Sequence, residues 1–149
     1  MSTEENKALV RRLLEHGLTA GARANPDVLQ EYFADHFVDH VRIHPETPGV
    51  QGVKETMAEL HQATQDFRMQ VEHIVAEGDW VAVHWQATSR RHRPLEKHRQ
   101  LKGVAPSGAE RTAAGVTLFH LEGGKIVESW NYDNALELAR QAGDSAAAP

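Results

Sequence analysis

Ten histidines and no cysteine stand in this chain of 149 residues, so proton transfer through imidazole is open to it and thiolate chemistry is not. Read as extended chain, HFVDHVRIH sets His36, Val38, His40, Arg42 and His44 on one side and Phe37, Asp39, Val41 and Ile43 on the other. His36, His40 and His44 would share one face of a helix, as a zinc site needs. The Val/Ile alternation and Pro45 argue against that helix, and no metal is expected. Further on, Trp80, Ala82, His84 and Gln86 alternate with Val81, Val83 and Trp85, which puts His84 and Trp85 on opposite faces. His120 shares a face with Thr112, Ala114, Val116 and Leu118, a run whose small residues leave room for a ligand. Glu128, Trp130 and Tyr132 alternate with Val127, Ser129, Asn131 and Asp133, so one face offers a carboxylate beside two amphipathic aromatics. That face suits stacking on a planar ligand, or packing in a core. Trp85 reads as a core or wall aromatic, and His84 as a further candidate for ligand contact.

These residues need elements to hold them. Ser2 and Glu5 form a capping box ahead of Val10, Leu13, Leu14, Gly17 and Leu18 at helical spacing, which predicts a first helix. Asn25 and Pro26 open a short second one carrying Val28, Leu29, Tyr32 and Phe33. A third is expected from about Gly52 to Thr64 on the stripe Val53, Met57, Leu60 and Thr64. The period then changes to two. Phe67 to Val75 and Val81 to Ala87 flank Glu77-Gly78-Asp79 as a hairpin, and Arg111 to Leu121 and Lys125 to Tyr132 flank Glu122-Gly123-Gly124 as a second. Helices first and strands after predict an α+β fold, with a curved antiparallel sheet wrapped around N-terminal helices. The long link from Arg90 to Gly108 reads as a basic surface loop or as a lid over a polar or anionic ligand.

The net charge of -5 argues against a nucleic-acid partner, and no segment has the apolar length of a signal peptide or membrane span. A single domain over 1–149 is expected, cytoplasmic, with a loose tail from about residue 143.

Four strings in this order resemble the SnoaL-like and ester-cyclase branch of the nuclear transport factor 2-like superfamily. They are YFADHFVDH followed by Pro48, Gly49 and Gly52-Val53; VEHIVAEGDWVAVHWQAT; GVAPSG; and FHLEGGKIVESWNYDN. Together they span about residues 5 to 143. The resemblance implies a cone-shaped fold with a ligand pocket, and a cofactor-independent intramolecular aldol reaction on a small apolar or polyketide-like molecule. His40 matches the family's Val-Asp-His, and His120 ends a strand where such an enzyme can present a pocket histidine. The family's acid follows the Trp of the last strand. Here that acid is Asp133, or it is absent and Asn134 stands in its place. Asp133, His120 and His40 are thus the expected proton carriers, with Trp130, Tyr132, Glu128, Trp85 and His84 lining the ligand. An epoxide hydrolase is disfavoured because Tyr132 stands where an acid would be needed. A ligand-binding protein that has lost its acid is the competing expectation, with Asn131 and Asn134 as its support. A homodimer is expected in either case, since an open sheet face bearing aromatics is usually covered.

Overall fold

The computed structural model describes residues 2–141 and 145–146. Helix α1 (Thr3–Arg12) starts at the capping box, with the Ser2 side chain accepting from the Glu5 N–H at 3.1 Å. It runs on through a π-helical stretch, Leu13–Gly21, into a short α2 (Ala22–Ala24). The Asn25 side chain then caps a 3-10 turn over Pro26–Glu31 by accepting from the Asp27 N–H at 3.0 Å. Strand β1 (Phe33–Asp39) follows, then α3 (Gly49–Ala63), three residues earlier at its start than the apolar stripe indicates. The remaining chain forms β2 (Thr64–Glu77), β3 (Trp80–Arg91), β4 (Val104–Ala105), β5 (Glu110–Glu122) and β6 (Lys125–Asp133). Helix α4 (Ala135–Gln141) and β7 (Ser145–Ala146) come last.

Five strands make one open sheet in the order β1-β6-β5-β3-β2. Both expected hairpins are present. Gly123 and Gly124 each take positive φ, as a two-residue hairpin turn of the I′ kind requires. The sheet is antiparallel except at one edge, where β1 runs parallel to β6 with Val38 opposite Glu128 and Asp39 opposite Ser129. That pairing joins segments about ninety residues apart, so local alternation carries no sign of its direction. Two breaks in register within β2 bend the sheet, one of them beside Asp66 at φ 57.

The concave face closes on the helices. Val10, Leu13 and Leu14 from the first helix and Leu29, Tyr32 and Phe33 from the following segment are buried with Val81, Val83, Phe119, Leu121 and Ile126 of the sheet. The Arg90 to Gly108 link is no free surface loop. Leu95 and Leu101 turn inward and form a second small cluster with Ala63 and Val104. The Arg99 backbone N–H donates to the Ile43 carbonyl at 2.6 Å, its Nε to the Arg42 carbonyl at 3.0 Å, and the His92 N–H to the Ala63 carbonyl at 2.9 Å. The link is therefore packed back onto the fold as a lid, most of its basic side chains exposed and Leu95, His98 and Leu101 turned toward a cavity. The tail expected from about residue 143 lies mostly outside the described residues; Ser145–Ala146 within it pair antiparallel with β4. Among the described residues no helix is long and apolar enough to cross a membrane.

Candidate functional site

Between sheet, helices and lid lies a cavity of about 240 Å³. Its walls are apolar over most of their area, with Phe33, Phe37, Phe67, Met57, Met69 and Trp85 among them. Inward alternation along β6 brings Ser129, Asn131 and Asp133 to it, β1 brings Asp39, β5 brings Thr117, and the lid brings His98. A few placed polar groups in an apolar chamber are the usual composition of a small-molecule site.

The polar groups of the sheet wall form one directed chain. Trp85 Nε1 donates to Thr117 Oγ1 at 3.0 Å, Thr117 Oγ1 donates to Asn131 Oδ1 at 2.6 Å, and Asn131 Nδ2 donates to Asp133 Oδ2 at 3.1 Å. The indole N–H can only donate, so each later donor is set in turn and the chain ends on a carboxylate. Asp133 Oδ1 also accepts from the Ala135 N–H at 3.0 Å, which fixes both oxygens. Asn134 takes no part: its Oδ1 accepts from the Ala114 N–H at 2.9 Å and its own N–H donates to the Ala114 carbonyl at 3.1 Å. The residue after Tyr132 that reaches the cavity is thus the acid and not the amide.

Thr117→Val keeps the side-chain shape but leaves the Trp85 N–H and the Asn131 oxygen unpaired. It should cost about 2 kcal/mol in urea unfolding, whereas Thr117→Ser should recover most of the loss.

Asp39 stands at the other end of the β6 row, opposite Ser129, and Asp133 lies four residues further along that strand. At about 3.3 Å per residue the two carboxylates are separated by roughly 13 Å along the wall. Burial pushes the Asp39 carboxyl up from 3.8 to about 6, against the Val41 N–H it accepts from and the positive charge of Arg42, His40 and Arg99 nearby. It can therefore gain and lose a proton near neutrality. On the lid, His98 accepts from the Gln100 and Leu101 N–H groups through Nδ1, both at 3.1 Å. Burial, then the neighbouring His44, Arg99 and Arg91, hold its pKa down to about 4, so the ring is neutral at pH 7.

Of the residues singled out from sequence, Asp133 and Trp85 line the cavity. His40, His84, His120, Glu128, Trp130 and Tyr132 do not; they occupy the outer face of the sheet. There Glu128 bridges His40 Nε2 at 2.9 Å and His120 Nδ1 at 3.0 Å, and these bonds, His120 first, hold its carboxyl below the usual range. His40 stacks on Trp130 and Trp80 on His120, each pair with ring centres 4.3 Å apart. His84 and His73 are hydrogen-bonded through Nδ1 atoms 3.1 Å apart. The backbone carries the two rows to opposite sides, so Asp133 does not converge with His40 or His120. His36 and His40 are exposed while His44 is buried, and among the described residues no group of three His, Asp or Glu side chains is placed to hold a metal.

Asp39, His98, Thr117 and Asn131 were not foreseen as site residues. Asp39 had a signal, a lone acid on the face of Phe37, Val41 and Ile43. His98 had a weaker one, the three-residue spacing Leu95, His98, Leu101 inside a charged stretch.

Comparison with known proteins gives the family and the fold. The SnoaL-like polyketide cyclase family matches residues 8–142, and the chain belongs to that family. Its fold is shared with a candidate SnoaL-like polyketide cyclase from Jannaschia sp. CCS1, with TM-score 0.74, 26% identity, and 99% of this chain and 94% of that one covered. TsrD from Streptomyces laurentii has TM-score 0.74 and 22% identity over 92% of this chain and 96% of its own. AclR, a suggested hydroxylase from Streptomyces galilaeus, has TM-score 0.72 and 22% identity over 99% and 91%. No curated protein sequence matches the chain significantly.

Proposed function

We propose that this protein is a cytoplasmic, cofactor-independent cyclase that closes a ring in an apolar, polyketide-like carbonyl compound by intramolecular aldol chemistry inside the cavity. The observation that carries this reading is Asp39: a carboxylate in an apolar chamber whose proton affinity burial has moved toward neutral pH. In its ionised form it takes a proton from the carbon between two carbonyl groups. The resulting enolate carbon bonds to a second carbonyl carbon of the same molecule, and the new alkoxide recovers a proton, so no electrons are gained or lost overall. Asp133, held by Asn131 and Ala135, orients the distal end of the chain. His40 and His120, on the outer face, have no part in these steps.

The competing reading, a ligand carrier without turnover, is favoured by one observation: both oxygens of Asp133 are already occupied by protein donors. A direct test is incubation with an aryl poly-β-ketone followed by chromatography and mass spectrometry. A product of equal mass or one water lighter, formed faster than in buffer, supports the cyclase; compound retained by the protein but recovered unchanged supports the carrier.

The outer sheet face supports a homodimer. Val38, Val75, Trp80, Val116 and Tyr132 are exposed on it, Tyr132 at 61%, around the His/Glu/Trp stacks. A surface this rich in aliphatic and aromatic side chains loses free energy in water, and a second copy presents the same surface to cover it. Sedimentation should give a dimer for the native chain and a folded monomer for Val116→Glu combined with Tyr132→Glu. A native chain sedimenting as a monomer at micromolar concentration would remove this part of the reading.

A further inference from the structure

We propose that His98 of the lid donates a hydrogen bond from its Nε2–H to a carbonyl oxygen of the cavity's ligand, so that the lid itself reads whether the ligand is a ketone. This rests on the reading of the cavity as the site for an apolar carbonyl compound, and adds the group that selects for the oxygen.

The geometry leaves the ring one free function. His98 is 6% exposed and lines the cavity between Leu95 and Leu101. Its Nδ1 is consumed by two backbone N–H groups of its own loop, Gln100 and Leu101. A nitrogen that accepts twice carries no hydrogen, so in the neutral ring the proton resides on Nε2. Among the described residues Nε2 has no hydrogen-bond partner. A neutral imidazole N–H is a donor without a charge to desolvate, and so suits an uncharged acceptor such as a carbonyl oxygen. The ordinary objection, that such a ring protonates as the pH falls, is met by its surroundings, since burial and the nearby cations oppose a second proton.

The same loop bonds that fix the tautomer also bind the ring to the lid's position. The lid in turn is fastened at Arg99 to the Ile43 and Arg42 carbonyls, next to Val41 and Ile43 of the cavity wall. A ligand oxygen bonded to Nε2 therefore adds one attachment between lid and contents that a hydrocarbon of equal shape cannot make. The functional consequence is selection by oxygen as well as by size.

Two substitutions separate the ring's functions. His98→Asn keeps an acceptor near the Nδ1 position and removes the distal donor; His98→Gln keeps a distal N–H and removes the proximal acceptor. The full chain is titrated with 2-acetylnaphthalene and with 2-isopropylnaphthalene, its isostere without the oxygen, with tryptophan fluorescence as the readout. The wild-type preference for the ketone should fall about tenfold in His98→Asn and return in His98→Gln. An equal preference in wild type and His98→Asn, with both probes bound, overturns the role of His98 while leaving the cavity's ligand intact. Failure of both probes to bind wild type overturns the ligand reading and this inference with it. Should His98→Asn not fold, ring nitrogen NMR on wild type decides: Nε2–H must shift with the ketone and not with the isostere. A ring found protonated on Nδ1 overturns the proposal.

Discussion

Asp39→Asn should abolish ring closure and at the same time make the protein more stable. The amide keeps an oxygen for the Val41 N–H but cannot accept a proton from carbon, so turnover of a poly-β-ketone should fall about 10²- to 10⁴-fold. The wild-type rate should itself decline as the pH drops through about 6, because the carboxylate must be ionised to act; the residual rate of the variant should lack that decline. Stability moves the opposite way. The Asp39 carboxyl binds its proton more tightly in the folded chain, at about 6, than in the unfolded one, at 3.8. Folding is therefore weakened progressively as the pH rises from about 4 to about 6, and the whole penalty, at most about 3 kcal/mol and less for the part of the carboxyl that solvent screens, is present above that. Replacing the acid removes it. Urea unfolding at pH 7.5 should show Asp39→Asn more stable by up to about 3 kcal/mol, with the difference vanishing below pH 4. A variant that is less stable at pH 7.5 would mean that Asp39 is an ordinary paired carboxylate and would leave the cyclase reading without its base.

Gly115→Val should be the most damaging single change in the sheet, costing about 3 kcal/mol. Gly115 lies between Trp85 on β3 and Asp133 on β6 in the pairing of β5 with its neighbours. A Cβ there would meet the Trp85 ring at 2.5 Å, the Tyr132 carbonyl oxygen at 2.7 Å and the Asp133 Cβ at 2.9 Å. The indole can swing into the cavity, but the carbonyl belongs to the ladder and cannot yield without separating two strands. Expected together are a lowered urea midpoint, altered tryptophan fluorescence and loss of probe binding. A variant with wild-type stability and fluorescence would mean that β5 and β6 are less tightly joined than the hydrogen-bond ladder indicates.

Period and capping told most of the fold in advance, and the reason lies in residues such as Ser2, Asn25 and the Gly123-Gly124 pair, whose preferences are local. The alternation along β1 and β6 was equally legible: Phe37, Asp39, Val41 and Ile43 share one face, and Ser129, Asn131 and Asp133 another. What alternation cannot tell is which face turns inward. Glu128, Trp130 and Tyr132 look like a binding wall because aromatics beside an acid suit a ligand, yet the sheet curves the other way and puts the small polar residues inside. The parallel edge pairing of β1 and the descent of His98 into the cavity both depend on contacts between distant segments, and neither has a short-range signal. Of the β5 row expected to leave room for a ligand, only Thr112 lines the cavity, and at Gly115 on the opposite face the Trp85 indole takes the space.

The second, smaller cluster beneath the lid has a kinetic meaning. Leu95, Leu101, Val104 and Ala63 form a cluster of their own under the lid, joined to the main core through Leu60, which packs against both. Opening the lid breaks a handful of contacts and leaves the sheet whole, so a molecule inside can exchange with solvent on a timescale far shorter than that of global unfolding. Residence time is then set by these aliphatic contacts together with the lid's hydrogen bonds to the Ile43, Arg42 and Ala63 carbonyls, and exchanging one aliphatic residue for another would lengthen or shorten it without disturbing the chemistry on the walls.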